Sequence, residues 1–282
     1  MALNILPLSD ALGAAVTGID IRRPLDADDT AAVRDAFLEH HLLCFRAAPV
    51  TAPEFCAFAR HFGEPQKQLL RAKRDAAAPE VSVLDSTYRS DADKPDDQRM
   101  IRLTGWHTDD SYFALPAKAT MLQSIEIPQS GGQTRFLNMR KAYADLPATD
   151  KQRVDGLCAV HCYDTRRAPA RASALTNVET GETPDVIHPL IRTHEDTGVK
   201  SFYFNANRID RIDGMAPEQS DALLDWVQDR IVQPQYRYDH EWRLGDMLLW
   251  DNRCLVHSVN MDFPVGQPRR HQRILLQGVR PV

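Results

Sequence analysis

From residue 81 onward the chain is a succession of short apolar runs separated by polar or turn-forming residues. They are VSVL (81–84), KATMLQSIEI (118–127), TRFLN (134–138), LCAVHCY (157–163), HPLIRT (188–193), SFYFN (201–205), YRYDHEW (236–242), MLLWDN (247–252) and RILLQGV (273–279). Only the stretch 217–232 breaks the pattern clearly as a helix, with Leu223, Leu224, Val227 and Ile231 at helical spacing. Many strands, few of them joined by helices, can satisfy their backbone groups only in antiparallel sheets that close or stack. The expected architecture is mainly β with flanking helices, built on a double-stranded β-helix (a jelly-roll, cupin-like core). A chain of 282 residues can form this as one domain, 1–282.

The first 65 residues mix element types. GAAVTGIDI (13–21) and LLCFR (42–46) read as strands, and DDTAAVRDAFLEHH (28–41) as a helix. Thr51 and Glu54 bracket a capping box with Pro53 in the first turn, so TAPEFCAFARHF should be a helix that stops at Gly63. Three polar stretches, 66–79, 86–104 and 164–186, have no clear period. The second and third are read as lids over a site.

A net charge of −5 and a pI near 6.1 argue against a nucleic-acid partner held through phosphates. The opening MALNILPLSDALG lacks the basic start and apolar centre of a secretory signal, and no apolar run reaches membrane-spanning length. Five scattered cysteines without a CxxC pair read as free thiols, which fits a cytoplasmic protein.

Two His-x-Asp strings stand out, His107-Thr108-Asp109 and His194-Glu195-Asp196. With 10 His and 39 acidic residues in 282, about 1.4 His-x-acid matches arise by chance. Context must separate the two. His194 and Asp196 lie in turn composition between HPLIRT and SFYFN, so they are expected at an exposed hairpin tip. His107 and Asp109 sit two apart in an extended, aromatic-flanked segment and should project from one face. About 150 residues later, His257 lies on the apolar run WDNRCLVHSVN, where its ring nitrogens need a partner. Two histidines and one carboxylate make a facial triad, which leaves three metal positions open, as in non-haem Fe(II) oxygenases.

The strings WHTD (106–109), GGQT (131–134) and WDNRCLVH (250–257), with an arginine 12 residues after His257, resemble the taurine/aryloxyalkanoate dioxygenase family. TGIDIRRPL, FARHFGE and HPLIRTHEDTG extend the resemblance over nearly the whole chain. It implies Fe(II) held by His107, Asp109 and His257, with 2-oxoglutarate as co-substrate and O2 as oxidant. It places a 2-oxoglutarate carboxylate on Thr134 and the distal carboxylate on Arg269, or on its neighbour Arg270. Arg269 is preferred because Arg273 then falls where the family has its second arginine. Asp109 argues against the related halogenases, which lack that carboxylate. The implied reaction is hydroxylation of a small, anionic organic substrate such as a sulfonate, an aryloxyalkanoate or another carboxylate.

Arg273, Leu103 and Tyr112 are the expected substrate contacts. Taurine-cleaving members carry a histidine and an asparagine where this chain has Gln68 and Leu103, so a more apolar substrate body is expected. Tyr88, Phe113 and Tyr203 are further candidates for its walls. The family usually forms dimers or tetramers, and a homo-oligomer is expected. A zinc hydrolase on the same three ligands, or a non-catalytic binding barrel, are the alternatives. The hydrolase would have no need for the Thr134 and Arg269 pair, and the barrel no need for a site with open coordination positions.

Overall fold

The computed structural model describes residues 3–87, 105–168 and 175–282. In chain order its strands are β1 Asn4–Pro7, β2 Ala14–Thr17, β3 Leu42–Phe45, β4 Pro65–Gln66, β5 Ser82–Asp85, β6 Ala119–Glu126, β7 Thr134–Asn138 and β8 Cys158–His161. They continue as β9 Val186–Pro189, β10 Ile191–Thr193, β11 Lys200–Phe202, β12 Ile209–Ile212, β13 Arg237–His240, β14 Met247–Asp251, β15 Leu255–Val259 and β16 Arg270–Leu276. The helices are α1 Ala27–His40, α2 Ala52–Ala59, α3 Met139–Ala144, α4 Ala148–Val154, α5 Asn177–Gly181 and α6 Pro217–Ile231.

The chain is mainly β, as its texture suggests. One large sheet runs β1-β2-β3-β14-β6-β16-β4, with β5 also paired to β16. A second sheet, β13-β7-β15, is antiparallel throughout. Residues of both meet in one apolar cluster: Leu42, Leu122, Leu248 and Trp250 from the first, Phe136 and Leu255 from the second.

Strand β16 shows how alternation assigns its residues to two layers. Ile274 and Leu276 face outward into a core shared with Val33 and Phe37 of α1 and Phe55 and Phe58 of α2. Gln272 shares that outer face and donates to Gln123 Oε1 (2.8 Å) and the Val50 carbonyl (3.0 Å). The opposite parity, His271 and Arg273, therefore points between the sheets. Helix α2 carries the capping box read from Thr51 and Glu54, and its regular turns end at Ala59, before Gly63. A third layer packs α3 and α6 against β7, β11, β12 and β15, through Leu137, Phe202, Leu224, Val227 and Val256.

Of the three polar stretches, the first contains a 3-10 turn, Arg71–Lys73. The end of the third contains α5, opened by a capping box from Thr176 to Glu179. Glu179 also accepts from the backbone N–H of Arg71 (3.1 Å), so the two stretches pack together. Residues 88–104 and 169–174, with Tyr88, Leu103, nearly all of the lid expected at 86–104 and a short part of the one expected at 164–186, lie outside the described residues.

Candidate active site

Residues 105–109 run alongside β15. The backbone N–H of His107 donates to the carbonyl of His257 (3.0 Å), and that of His257 to the carbonyl of His107 (2.7 Å). This isolated antiparallel bridge sets the two imidazoles side by side, ring centres 4.2 Å apart. Asp109, two residues on, shares the face. Donor atoms of His107, Asp109 and His257 all lie within 4.8 Å of one another. The chain then turns sharply at Asp110, which adopts a left-handed conformation (φ 55°) that Asp tolerates better than most residues.

Two of the three side chains, His107 and Asp109, are oriented by hydrogen bonds. Nδ1 of His107 donates to the Gly105 carbonyl (2.8 Å), which leaves the Nε2 lone pair free. Among the described residues His257 Nδ1 has no hydrogen-bond partner, and its Nε2 lies 4.0 Å from Asp109 Oδ2. Asp109 Oδ2 accepts from Thr120 Oγ1 (2.6 Å), which accepts from Asn252 Nδ2 (2.8 Å), whose Oδ1 accepts from Trp250 Nε1 (3.0 Å). The WDN of the string WDNRCLVH thus reaches the carboxylate through Thr120. Burial lowers the pKa of both histidines, His257 also because His107 is adjacent, so both are neutral at pH 7. Burial works against the Asp109 carboxylate, but His257, Arg273, His107 and the Thr120 hydroxyl outweigh it and hold it ionised. Two neutral imidazoles and a carboxylate are the donor set that a divalent transition metal takes. The residues present fit such an ion.

Arg269, just before β16, is 3% exposed. Its Nε donates to the Gly132 carbonyl (3.0 Å) and its Nη2 to Thr134 Oγ1 (3.3 Å). Among the described residues no carboxylate lies within 4.0 Å of it, and burial pushes its pKa down to about 10. A buried guanidinium without a counter-ion is a site for an anion. Gly132 permits the approach: it sits at φ 73°, and a Cβ there would lie 3.2 Å from Arg269 Nε. Thr134 also accepts from Trp242 Nε1 (3.1 Å), so its own hydroxyl proton is left to give. Arg270 faces the other way, with Nη1 2.6 Å from Glu126 on the surface, and does not share this spot. Strand parity separates the two neighbours.

A cavity of about 270 Å³ opens beside Asp109, lined by Tyr112, Arg273 and His107 among others. Arg273 Nη2 donates to Gln68 Oε1 (2.8 Å), its Nη1 lies 3.4 Å from Asp109 Oδ1, and its Nε has no partner. Gln68, singled out from the resemblance, lines the cavity, but several other walls were not anticipated from the sequence. Leu69 and Leu70 come from the stretch 66–79, which carries no period, and Asn205 and Arg208 follow β11. Arg208 stacks on Tyr112 and Tyr163, 5.0 and 4.4 Å from the ring centres. Asn205 Nδ2 donates to the Thr108 carbonyl (2.7 Å) and to Ser111 Oγ (2.9 Å), which anchors the loop that carries His107 and Asp109. Tyr203 is 2% exposed and stacks on His161 instead of lining the cavity.

The second His-x-Asp string corrects an expectation. A turn does occupy 195–197, but His194 is 1% exposed. Its Nε2 donates to Asp251 Oδ2 (2.9 Å) and its Nδ1 accepts from the Asp196 N–H (3.2 Å). The hairpin of β10 and β11 folds down onto the end of β14, where Arg253 bonds both Asp251 and Asp196 (each 2.7 Å). His194 is thus buried, with Asp251 as its side-chain partner.

A family model described as the taurine catabolism dioxygenase TauD, TfdA family matches residues 4–275. The chain belongs to this family. Among its TauD/TfdA relatives, the (S)-phenoxypropionate/alpha-ketoglutarate-dioxygenase of Sphingobium herbicidovorans is 34% identical over 266 residues, 91% of this chain and 89% of its own. The alpha-ketoglutarate-dependent sulfate ester dioxygenase of Pseudomonas putida is 29% identical, covering 100% of this chain and 92% of its own. The solved structure of AAD-2 in complex with Mn(II) and N-oxalylglycine matches with a TM-score of 0.87 at 26% identity, over 100% of this chain and 99% of that one. This TauD/TfdA chain is an oxidoreductase of the dioxygenase class. No helix among its described residues is long and apolar enough to cross a membrane.

Proposed function

We propose that the protein is an Fe(II)- and 2-oxoglutarate-dependent dioxygenase that hydroxylates a C–H bond of a small anionic organic molecule, with succinate and CO2 as co-products. The two facing sheets are read as the double-stranded β-helix of such enzymes. In this reading His107, Asp109 and His257 hold the iron, Thr134 and Arg269 hold 2-oxoglutarate, and Arg273 with Tyr112 receives the organic substrate. When bound, iron and 2-oxoglutarate supply the oxidising power from O2. The chain's own residues do the rest. Thr120 and Gly105 fix the ligand orientations, Arg269 neutralises a carboxylate, and the aromatic and leucine walls keep water from the substrate.

One observation carries the reading: a buried guanidinium with no carboxylate partner among the described residues, beside a threonine with a proton to give, next to a two-histidine, one-carboxylate set. A zinc hydrolase or a binding barrel has no use for the buried arginine. The relatives' names point to aryloxyalkanoates or sulfate esters. The cavity agrees, since its leucines and tyrosines suit an apolar body and Arg273, with an unpaired Nε, suits an anionic head. We place the protein in the cytoplasm as a homo-oligomer, by analogy with the family and from its free thiols.

Anaerobic addition of Fe(II) and 2-oxoglutarate tests the reaction class. A weak visible charge-transfer band that needs both additives is the expected result, followed by succinate release when O2 and a phenoxypropionate or an alkyl sulfate are admitted. A protein that shows neither band nor succinate, with any of these, is not this enzyme.

A further inference from the structure

Between Arg269 and Arg273, on the same inward face of β16, stands His271. It pairs with Leu84 of β5 and Ser124 of β6 and is 0% exposed. Among the described residues neither ring nitrogen has a hydrogen-bond partner. A buried imidazole with both nitrogens unmatched is costly, and leucine or phenylalanine would fill the same space without that cost. The polar ring therefore answers to something outside the polypeptide.

Its neighbours say where that something lies. The ring of Trp242 packs edge-on against His271, with centres 4.5 Å apart. The indole N–H of the same tryptophan donates to Thr134 Oγ1 (3.1 Å), and Arg269 Nη2 donates to that oxygen as well (3.3 Å). His271, Trp242, Thr134 and Arg269 thus bound one polar spot. It contains two defects of complementary kind: a guanidinium without an anion and an imidazole without a partner. Burial, and the charge of Arg269 close by, keep the imidazole neutral, so it carries one N–H to donate.

We propose that His271 is a third co-substrate-binding residue, whose ring N–H donates to the carboxylate that Arg269 and Thr134 hold. One bound carboxylate removes both defects at once. The assignment rests on the co-substrate reading of Arg269 and Thr134, and the test separates the two.

The test is anaerobic calorimetry of 2-oxoglutarate binding to the Mn(II)-loaded protein, for the wild type, His271→Leu, His271→Gln and Arg269→Ala, with thermal unfolding of each metal-free protein. For His271→Leu the expected result is roughly tenfold weaker 2-oxoglutarate binding, unchanged Mn(II) affinity and a raised unfolding temperature, because buried unmatched nitrogens are gone. Glutamine, which keeps an N–H donor, should recover part of the affinity. A purely structural histidine would give wild-type 2-oxoglutarate affinity in His271→Leu. That outcome, with Arg269→Ala still losing 2-oxoglutarate, overturns the role of His271 alone. If Arg269→Ala also binds normally, the co-substrate reading fails first. Should His271→Leu not fold, 15N-histidine spectra of the Zn(II)-loaded wild type decide: the His271 N–H resonance should shift into the hydrogen-bonded range on adding 2-oxoglutarate, and no shift overturns the proposal.

Discussion

The hydroxyl of Thr120 donates a 2.6 Å hydrogen bond to Oδ2 of Asp109 and accepts one of 2.8 Å from Asn252. One strand residue therefore ties the proposed metal carboxylate to the WDN turn after β14. It also limits the carboxylate's freedom to swing away from His257. Thr120→Val keeps the shape and removes both bonds. Metal affinity should fall about 10- to 100-fold, the range typical of lost supports for metal ligands. Anaerobic Mn(II) titration measures it, and an unchanged affinity would show that Asp109 needs no such support.

Arg269 and Arg270 are adjacent but face opposite sides of the strand end. Arg269→Ala should weaken 2-oxoglutarate binding by roughly 2–5 kcal/mol, the range for one partner of a buried charged pair. Arg270→Ala loses exposed pairs with Glu126 and Asp85 and should change it by less than about 1 kcal/mol. The KM for 2-oxoglutarate of each variant is the readout. A loss in Arg270→Ala, and none in Arg269→Ala, contradicts the parity assignment.

Arg273 reaches into the cavity bonded to Gln68 and, at 3.4 Å, to Asp109, and among the described residues its Nε has no partner. Replacing it with leucine removes a charge-assisted anchor of about 1.5–3 kcal/mol, roughly 10- to 100-fold in affinity for an anionic substrate. The KM for 2-oxoglutarate should move much less. Equal effects on both ligands would place Arg273 in general support of the site instead of in substrate recognition.

The buried set Asp251, Arg253 and His194 should dominate the acid sensitivity of the fold. Burial raises the Asp251 carboxyl, but Arg253 and the His194 bond overcome it and hold the net value far below the ordinary range. A depressed folded pKa stabilises the protein above the unfolded value of about 3.9 and loses that contribution as pH falls toward the folded one. Asp251→Asn should cost about 3–5 kcal/mol at pH 7, since it leaves Arg253 short of its main counter-charge. The gap to wild type should then shrink by about 1.4 kcal/mol per pH unit below about 3.9. Urea unfolding at pH 7 and pH 3 checks this; a gap that stays constant refutes the electrostatic account.

What the sequence determined by itself is whatever a local period or cap encodes. Apolar runs with turn residues between them predict a mainly β chain, and Thr51 with Glu54 predicts the start of α2 because a cap is made within one turn. His107 and Asp109 share a face because strand side chains alternate, and the same rule separates Arg269 from Arg270. Only the tertiary structure decided what lies opposite. His194 sits beside a true turn, yet it is buried because Asp251 and Arg253, some 57 positions away, close over it. The walls Leu69, Asn205 and Arg208 arise from loops that no period marks, and the surroundings of His271 depend on Trp242, in the loop after β13, and on Thr134 of β7. Burial and hydrogen-bond satisfaction are properties of the packed chain, and no residue carries them alone.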